Sequence, residues 1–450
     1  MLVQNAHGTR SKNHCAMTIP QETDQYLPIQ RALQRLNEAA ERCEQTLLSD
    51  QDNSIEKCSA RQTARDDLVL EALKFLQIAQ GPIDAAATCF ERTAHLASVR
   101  TLLEMGVFEA LPTGGVSRST TELAQELDVE ESLLDRLARL LRNSSLYGPF
   151  EETGPGQYRH TPFSEAYLRP EIRGMFRFAM DDHMPTHLKL HEFLQRNGWR
   201  EPSSTTDNPY TYAHKTNGKS MFEHLSERPE RMKAFNDGMT VQAMTPLWMI
   251  DLFPWRTLAQ FKPSPSNIVA VDIGGGKGKA IDRIRSLCDG LPGRYILQDQ
   301  AHVVKSVDGS LDPAIERMAY DFFTEQPIHG KMRFTSESFA LAHNVHLGAL
   351  TYLIRRCLHN WPQDSVVRIL KNIAAAMEPK KSRLLIEEIV VPAEKAGVEE
   401  GWMDMIMMSL GAKQRTLKEW EMVLGLAGLE VKKVYQISGN CHGLIEAQLK

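Results

Sequence analysis

A chain of 450 residues, 42% hydrophobic and 24% charged, has an ordinary globular composition and room for two or three domains. Its formal charge of −5 argues against a general nucleic-acid or anionic-membrane surface. No apolar run reaches the ~18 residues of a membrane span, and the seven cysteines (Cys15, Cys43, Cys58, Cys89, Cys288, Cys357, Cys441) form no C-x-x-C. With a polar, unsignal-like Met1–Pro20, these features predict a reduced, cytoplasmic protein with no disulfide framework or zinc ribbon.

Residues 1–24 read as disordered, Tyr26 to Leu48 as polar but helix-prone, and 51–59 as a linker. Residues 1–60 are therefore expected to be a polar extension without chemistry of its own. Residues 61–170 carry a sharper pattern. Leu68 to Ile78 form an apolar helix that should stop at Gly81-Pro82, and Ala94, Leu96, Val99, Leu102 and Leu103 mark a second one ending near Gly106. Ser119-Thr-Thr-Glu122 is a capping box for a short helix to Leu127. Glu131 to Leu141 follows with leucines on one face, and Leu146-Tyr147 with Gln157-Tyr158-Arg159 read as a two-stranded wing. This is a winged-helix order. Its would-be recognition helix balances Arg136, Arg139 and Arg142 against Glu130, Glu131 and Asp135, so protein–protein packing is favoured over DNA binding.

Residues 171–262 are expected to be mostly helical and are rich in Met and aromatic residues, among them Met175, Phe178, Met221, Phe235, Met244 and Trp248. Most must be core, but adaptable methionines also suit a pocket wall for a flat organic molecule. His183, His187 and His191 recur at i, i+4 and i+8. Pro185 suits a first helical turn, which would leave His183 outside the helix. No carboxylate falls in register with the remaining pair, so no metal site is expected.

Residues 263–450 alternate strand and helix, the pattern of an α/β fold with a Rossmann-like sheet. The hydrophobic run from Asn267 ends in Val271-Asp272-Ile273-Gly274-Gly275-Gly276-Lys277-Gly278, after which Ala280, Ile281, Ile284 and Leu287 recur at helical spacing. Ligands bind at the carboxyl ends of such strands. A dinucleotide fingerprint would need a third glycine where Lys279 stands, and a P-loop would need Ser or Thr after its lysine. An acid followed by G-x-G-x-G suits S-adenosylmethionine, whose amino-acid end is a zwitterion without a pyrophosphate. Tyr295 to Asp299 is a second strand ending in an acid, placed to bind ribose hydroxyls. Arg317 to Phe322 reads as a third, with Asp321 beside the sugar or base and Phe322 against adenine. The strand from Leu350 delivers His359 to the same rim. A helix over Asp364–Met377 follows, then a strand over Arg383–Pro392 that carries Glu387 and Glu388 in an aliphatic run. A buried carboxylate needs a partner, and a histidine is a natural one. Thr416-Leu-Lys-Glu419 is another capping box, and strands over Leu429–Tyr435 and Gly443–Leu449 close the sheet.

From Leu68 to Lys450 the chain resembles the plant- and fungal-type S-adenosylmethionine-dependent O-methyltransferases with an N-terminal winged-helix dimerisation domain. The resemblance rests on V-D-I-G-G-G-K-G (271–278), Q-D-Q-A-H-V (298–303), Y-D-F-F (320–323), R-R-C-L-H-N-W (355–361), I-E-E-I-V-V-P (386–392) and K-Q-R-T (413–416). It implies a homodimer and a hydroxylated aromatic or polyketide-like substrate. It also implies cofactor positions at Gly274, Gly276, Asp299, Asp321, Phe322 and Arg355, with Asp272 before the turn, and a general base at His359. Glu388 fits the acid behind the base, while Glu387 should face the other side of the strand. Gln414 stands where the family often has Glu, so a second orienting carboxylate is missing. Arg355 replaces a lysine, and Gln-Ala replaces Leu-Pro after Asp299. The missing acid keeps a second reading open: a relative that holds S-adenosylmethionine as a fixed cation for dehydration or pericyclic chemistry. A non-catalytic dimeric regulator would be expected to lose His359 or the glycine turn, and both are intact.

Overall fold

The computed structural model describes residues 22–48, 55–141, 148–243, 248–307, 309, 311–329, 348–437 and 439–450. The chain forms two compact units, Met1–Phe90 and Glu91–Lys450. In the first, helix Glu22–Leu48 buries Ala32, Ala39 and Cys43. The expected linker is shorter than read: a helix begins at Ile55, because neither Gly nor Pro interrupts the chain from there to Gln80. That helix, Ile55–Met105, contains one non-helical residue, Gly81 at φ 75° and ψ 169°. Gly81 tolerates positive φ, and Pro82 restarts the helix where no N–H is required.

In the second unit, Val99, Leu102, Phe108, Leu123, Leu134 and Phe150 share one core. Ser119 caps helix Thr120–Leu127 with a complete capping box. The wing has its strand at Gln157-Tyr158-Arg159. Its strands are Phe150–Gly154 and Gln157–His160, with Arg118–Ser119 on the outer side, whereas Leu146-Tyr147 falls outside the described residues. Arg139 pairs with Asp135 along helix Glu131–Leu141, so this face does not gather positive charge. Arg142 lies outside the described residues.

Helix Pro170–Phe178 continues through a π-turn, Ala179–His183, into Met184–Leu188. His183 is therefore inside a continuous helical stretch and not ahead of it. The wider turn absorbs the strain at Pro185, which has no N–H for the preceding turn. Phe178, Met221, Met403 and Met407 join Ile389 in one apolar cluster, with Phe235 packed against it. Met175 and Phe222 are exposed, while Met244 and the side chain of Trp248 lie outside the described residues.

The sheet is built from β1 (Ile268–Ile273), β2 (Arg294–Asp299), β3 (Ile315–Ala319), β4 (Thr351–Arg355), β5 (Arg383–Val391), β6 (Leu429–Gln436) and β7 (His442–Leu449). Their order is β3-β2-β1-β4-β5-β7-β6, parallel except for β7, which runs antiparallel to both neighbours. The order reverses between β1 and β4, so the carboxyl ends of those strands open the ligand crevice. Every residue of β1 is buried, because helices cover both faces of a central parallel strand. β3 ends two residues before Asp321, shorter than read: the Asp321 carbonyl and carboxylate accept from Thr324 N (2.9 Å) and Phe323 N (3.0 Å), which bends the chain into a turn. β4 likewise stops at Arg355. Arg356 takes φ 50°, and a 3-10 turn, Leu358–Asn360, carries His359. Arg415–Thr416 pairs in parallel with Val390–Val391 at the end of β5.

Candidate active site

The glycine turn is set by local bonding. Gly274 N and Gly275 N donate to the Gln298 carbonyl at 2.8 and 3.2 Å, and Gly276 N donates to Asp299 Oδ2 at 2.9 Å. Gly274 and Gly276 adopt φ 69° and 58°, and a Cβ on Gly274 would lie 2.9 Å from Cys357 Sγ. A side chain there would meet both a conformational and a steric penalty. Asp299 Oδ1 accepts from Gln300 N at 2.7 Å, so this acid braces the turn as well as standing on the rim. Asp321 is exposed on its turn. Phe322 borders the glycines: its ring would lie 4.0 Å from that Cβ, and it meets Trp361 edge-on at 5.9 Å.

Beneath the turn lies a set of unsatisfied charges. Asp272 is fully buried and neither of its oxygens has a hydrogen-bond partner among the described residues. Burial pushes its carboxyl up to about 7, with the Arg355 charge opposing. Arg355 Nε donates to Glu387 Oε1 at 2.8 Å, but Arg355 Nη2 and Glu387 Oε2 are buried without partners. Buried polar groups are ordinarily satisfied. An orphaned acid beside an orphaned guanidinium nitrogen is complementary to a zwitterionic ligand.

The imidazole lies on the neighbouring rim. His359 is buried, with Nδ1 2.8 Å from Glu388 Oε2. The other oxygen, Glu388 Oε1, accepts from the backbone N–H groups of Leu358 (2.9 Å) and His359 (3.3 Å). Burial works to raise the Glu388 carboxyl, but the His359 ring and backbone, with Arg356, outweigh it and hold it below the usual range. An ionised acid at Nδ1 fixes the proton there and leaves Nε2, across the ring, as the basic nitrogen. Gln414 reaches the same Nδ1 at 3.2 Å. The atom in contact is the amide nitrogen, and Gln414 Oε1 has no partner among the described residues, so a flip of the amide brings that oxygen to Nδ1–H.

Arg415 was not singled out from the sequence. Almost fully buried, it donates to the carbonyls of Leu358 (3.4 Å) and Trp361 (3.1 Å) on either side of His359, and it stacks on Trp420. A buried arginine beside a capping box was the available signal, and burial is not legible from one sequence. His183, His187 and His191 do not converge: the first two rings are 6.0 Å apart and His191 is exposed. Among the described residues, a different trio, Glu399, Cys441 and His442, brings ligand-type atoms within 4.8 Å of one another. Its members already bond each other, with His442 Nε2 3.3 Å from Glu399 Oε1.

A Rossmann-like sheet with one reversed strand, a glycine turn at the switch point and a buried imidazole–carboxylate pair beside it define a small-molecule methyltransferase. An O-methyltransferase domain matches residues 202–430 and an O-methyltransferase dimerisation domain matches residues 92–170. The chain is 82% identical to O-methyltransferase kntB of Aspergillus niger over 96% of its length and all of that protein's. It is 67% identical to O-methyltransferase afvC of Aspergillus flavus, over 96% of this chain and all of the other. The crystal structure of OxaC with S-adenosylhomocysteine and oxaline superposes with a TM-score of 0.79 at 33% identity, covering 95% of this chain and all of that one. LepI in complex with S-adenosylmethionine gives 0.75 at 25% identity, over 93% and 100%. The chain belongs to the O-methyltransferase family and is an S-adenosylmethionine-dependent enzyme of that family. No described helix is long and apolar enough to cross a membrane.

Proposed function

We propose that the enzyme methylates a phenolic hydroxyl of an aromatic or polyketide-type secondary metabolite, with His359 as general base. The reading rests chiefly on the 2.8 Å contact between His359 Nδ1 and the ionised, buried Glu388. Bound S-adenosylmethionine supplies an electrophilic methyl group on a sulfonium. The chain's own residues handle the rest. Asp272 would hold the ammonium and Arg355 the carboxylate of the cofactor's amino-acid end. Gly274 and Gly276 would allow its close approach, Asp299 and Asp321 would take the ribose and base, and Phe322 would pack on the adenine. His359 Nε2 accepts the acceptor's proton. A phenol near pKa ~10 and an imidazolium near ~6.5 differ by about 3.5 units, an uphill transfer of roughly 5 kcal/mol in water. Glu388 offsets part of this by stabilising the imidazolium, and Gln414 orients the ring without adding charge. Holding the oxygen in line with the methyl carbon contributes the remainder.

The dimerisation-domain match supports a homodimer, as does the apolar surface at Ile83 and Phe90, each about four-fifths exposed. A second reading stays in play because a structure described as a pericyclic reaction enzyme superposes at TM-score 0.75 and 26% identity. Gln414 in place of an acid also leaves the base with less charge behind it. Incubation with methyl-labelled cofactor and a panel of naphthols and dihydroxynaphthalenes separates the two. Label on the acceptor oxygen supports methyl transfer, and an unlabelled rearranged product supports the alternative.

A further inference from the structure

Two histidines outside the reaction centre have buried ring nitrogens that the protein leaves without partners. His183 is 6% exposed and its Nδ1 is unsatisfied, as is the buried Nε2 of His187. Both rings are held in the neutral form by burial, His183 at about 3. A neutral imidazole has one donor and one acceptor. Which of its two nitrogens carries the proton is set by the hydrogen bonds the ring makes, and among the described residues the protein supplies none to His183 Nδ1 or His187 Nε2. His187 Nε2 is therefore a buried nitrogen open to a hydrogen bond from outside the protein.

The surroundings connect these rings to the base. His183 meets Phe178 edge-on at 4.6 Å, and Phe178 packs in the same cluster as Ile389, which follows Glu388 on β5. Met405, whose backbone bonds His187, is preceded by Asp404, whose Oδ1 accepts from Gln414 N at 2.8 Å, and Gln414 touches His359. An aromatic series, Phe178, Phe235, Phe222 and Trp361, runs from His183 to two residues past the base. A buried ring nitrogen without a partner is costly unless a ligand bonds to it.

We propose that His183 and His187 form a substrate subsite that binds a second O–H of the acceptor, remote from the oxygen that is methylated, by a hydrogen bond to the unpartnered His187 Nε2. The enzyme's acceptors are thus polyhydroxylated aromatics and not simple monophenols. This rests on the reading of the His359 pocket as the acceptor site, and the test is a binding measurement so that it does not depend on turnover. Calorimetric titration of the enzyme, saturated with S-adenosylhomocysteine, uses dihydroxynaphthalenes and the matched naphthols. Wild type is expected to bind at least one diol about tenfold more tightly than its mono-ol, the ratio one hydrogen bond confers. His187→Leu and His183→Phe should bring that ratio to near one, and His187→Gln should restore part of it. Equal binding of every diol and mono-ol by wild type, including no binding of either, would overturn the subsite, as would variants that weaken both ligands equally. Thermal unfolding of the free enzyme gives a second arm. Replacing an orphaned nitrogen with an apolar side chain should leave Tm unchanged or higher, whereas a drop of several degrees in both apolar variants would mark the pair as structural. Diol selectivity without methyl transfer would leave the subsite standing and sink the methylation reading alone.

Discussion

The imidazole pocket and the glycine-turn cradle meet at the ends of β4 and β5, yet they differ in how much of their hydrogen bonding the protein completes. Around His359 the chain supplies most of it: Glu388 Oε1 takes two backbone amides while Oε2 lies 2.8 Å from Nδ1, Gln414 Nε2 lies 3.2 Å from the same nitrogen, and Arg415 holds the carbonyls on either side, which leaves Gln414 Oε1 without a partner. Under the glycine turn, Asp272 has no partner, and Arg355 and Glu387 each keep one buried atom free. The first arrangement is preorganised for a group whose charge must change during reaction. The second keeps buried polar atoms unpaired, which suits the zwitterionic end of the cofactor proposed for it. A base can be finished in advance, whereas a cofactor that must enter and leave cannot have its bonds replaced by protein.

Substitutions sharpen the contrast in order of expected effect. Glu388→Gln removes charge from the completed half, and methyl transfer should fall roughly 10²–10⁴-fold with cofactor affinity little changed. Single-turnover rates and cofactor titration check this together. Asp272→Asn acts on the unfinished half and should weaken S-adenosylhomocysteine binding about tenfold at pH 8. Its pH signature is more specific. The Asp272 carboxyl is raised from 3.8 to about 7, so the free folded enzyme holds a proton that the unfolded chain releases. The stability this contributes is full below about pH 4 and is lost as pH rises through about 7. A bound ammonium reverses the shift, so wild-type affinity should rise about tenfold from pH 6 to pH 8, and the Asn variant should be flat. Arg415→Met should lower kcat about tenfold by loosening the turn under His359, without changing cofactor binding, and Arg415→Lys should recover part of the loss. Gln414→Glu should have the smallest effect, moving the acidic limb of the pH–rate profile up by about half a unit, because a second negative charge favours the imidazolium.

What could be read from the chain itself was whatever is contiguous. The strand into Asp272 and Gly274 needed only a hydrophobic run, an acid and glycines, and the capping boxes at Ser119 and Thr416 are four-residue patterns. The cost of burying a lone carboxylate pointed to a histidine partner for Glu387 or Glu388, and the family resemblance narrowed the pair to Glu388 and His359. Contacts made by sheet pairing over long separations were not legible. Arg415 comes under His359 only because Arg415–Thr416 pairs with Val390–Val391, and one chain does not reveal that register. Asp321 and His183 were misplaced for local reasons: side-chain bonding ended β3 early, and a π-turn kept the helix running where Pro185 suggested a start. The wing strand at Gln157 was legible from its short polar–aromatic pattern, whereas its partner at Phe150–Gly154 was not, because Phe150 is recognisable as a strand residue only from its place in the core.

Base catalysis by His359 is tested most directly by His359→Ala, measured as single-turnover methyl transfer beside cofactor titration on the same sample. The rate is expected to fall roughly 10²–10⁴-fold while S-adenosylhomocysteine binds as it does to wild type. Transfer at the wild-type rate in that variant, with the cofactor bound, would contradict it.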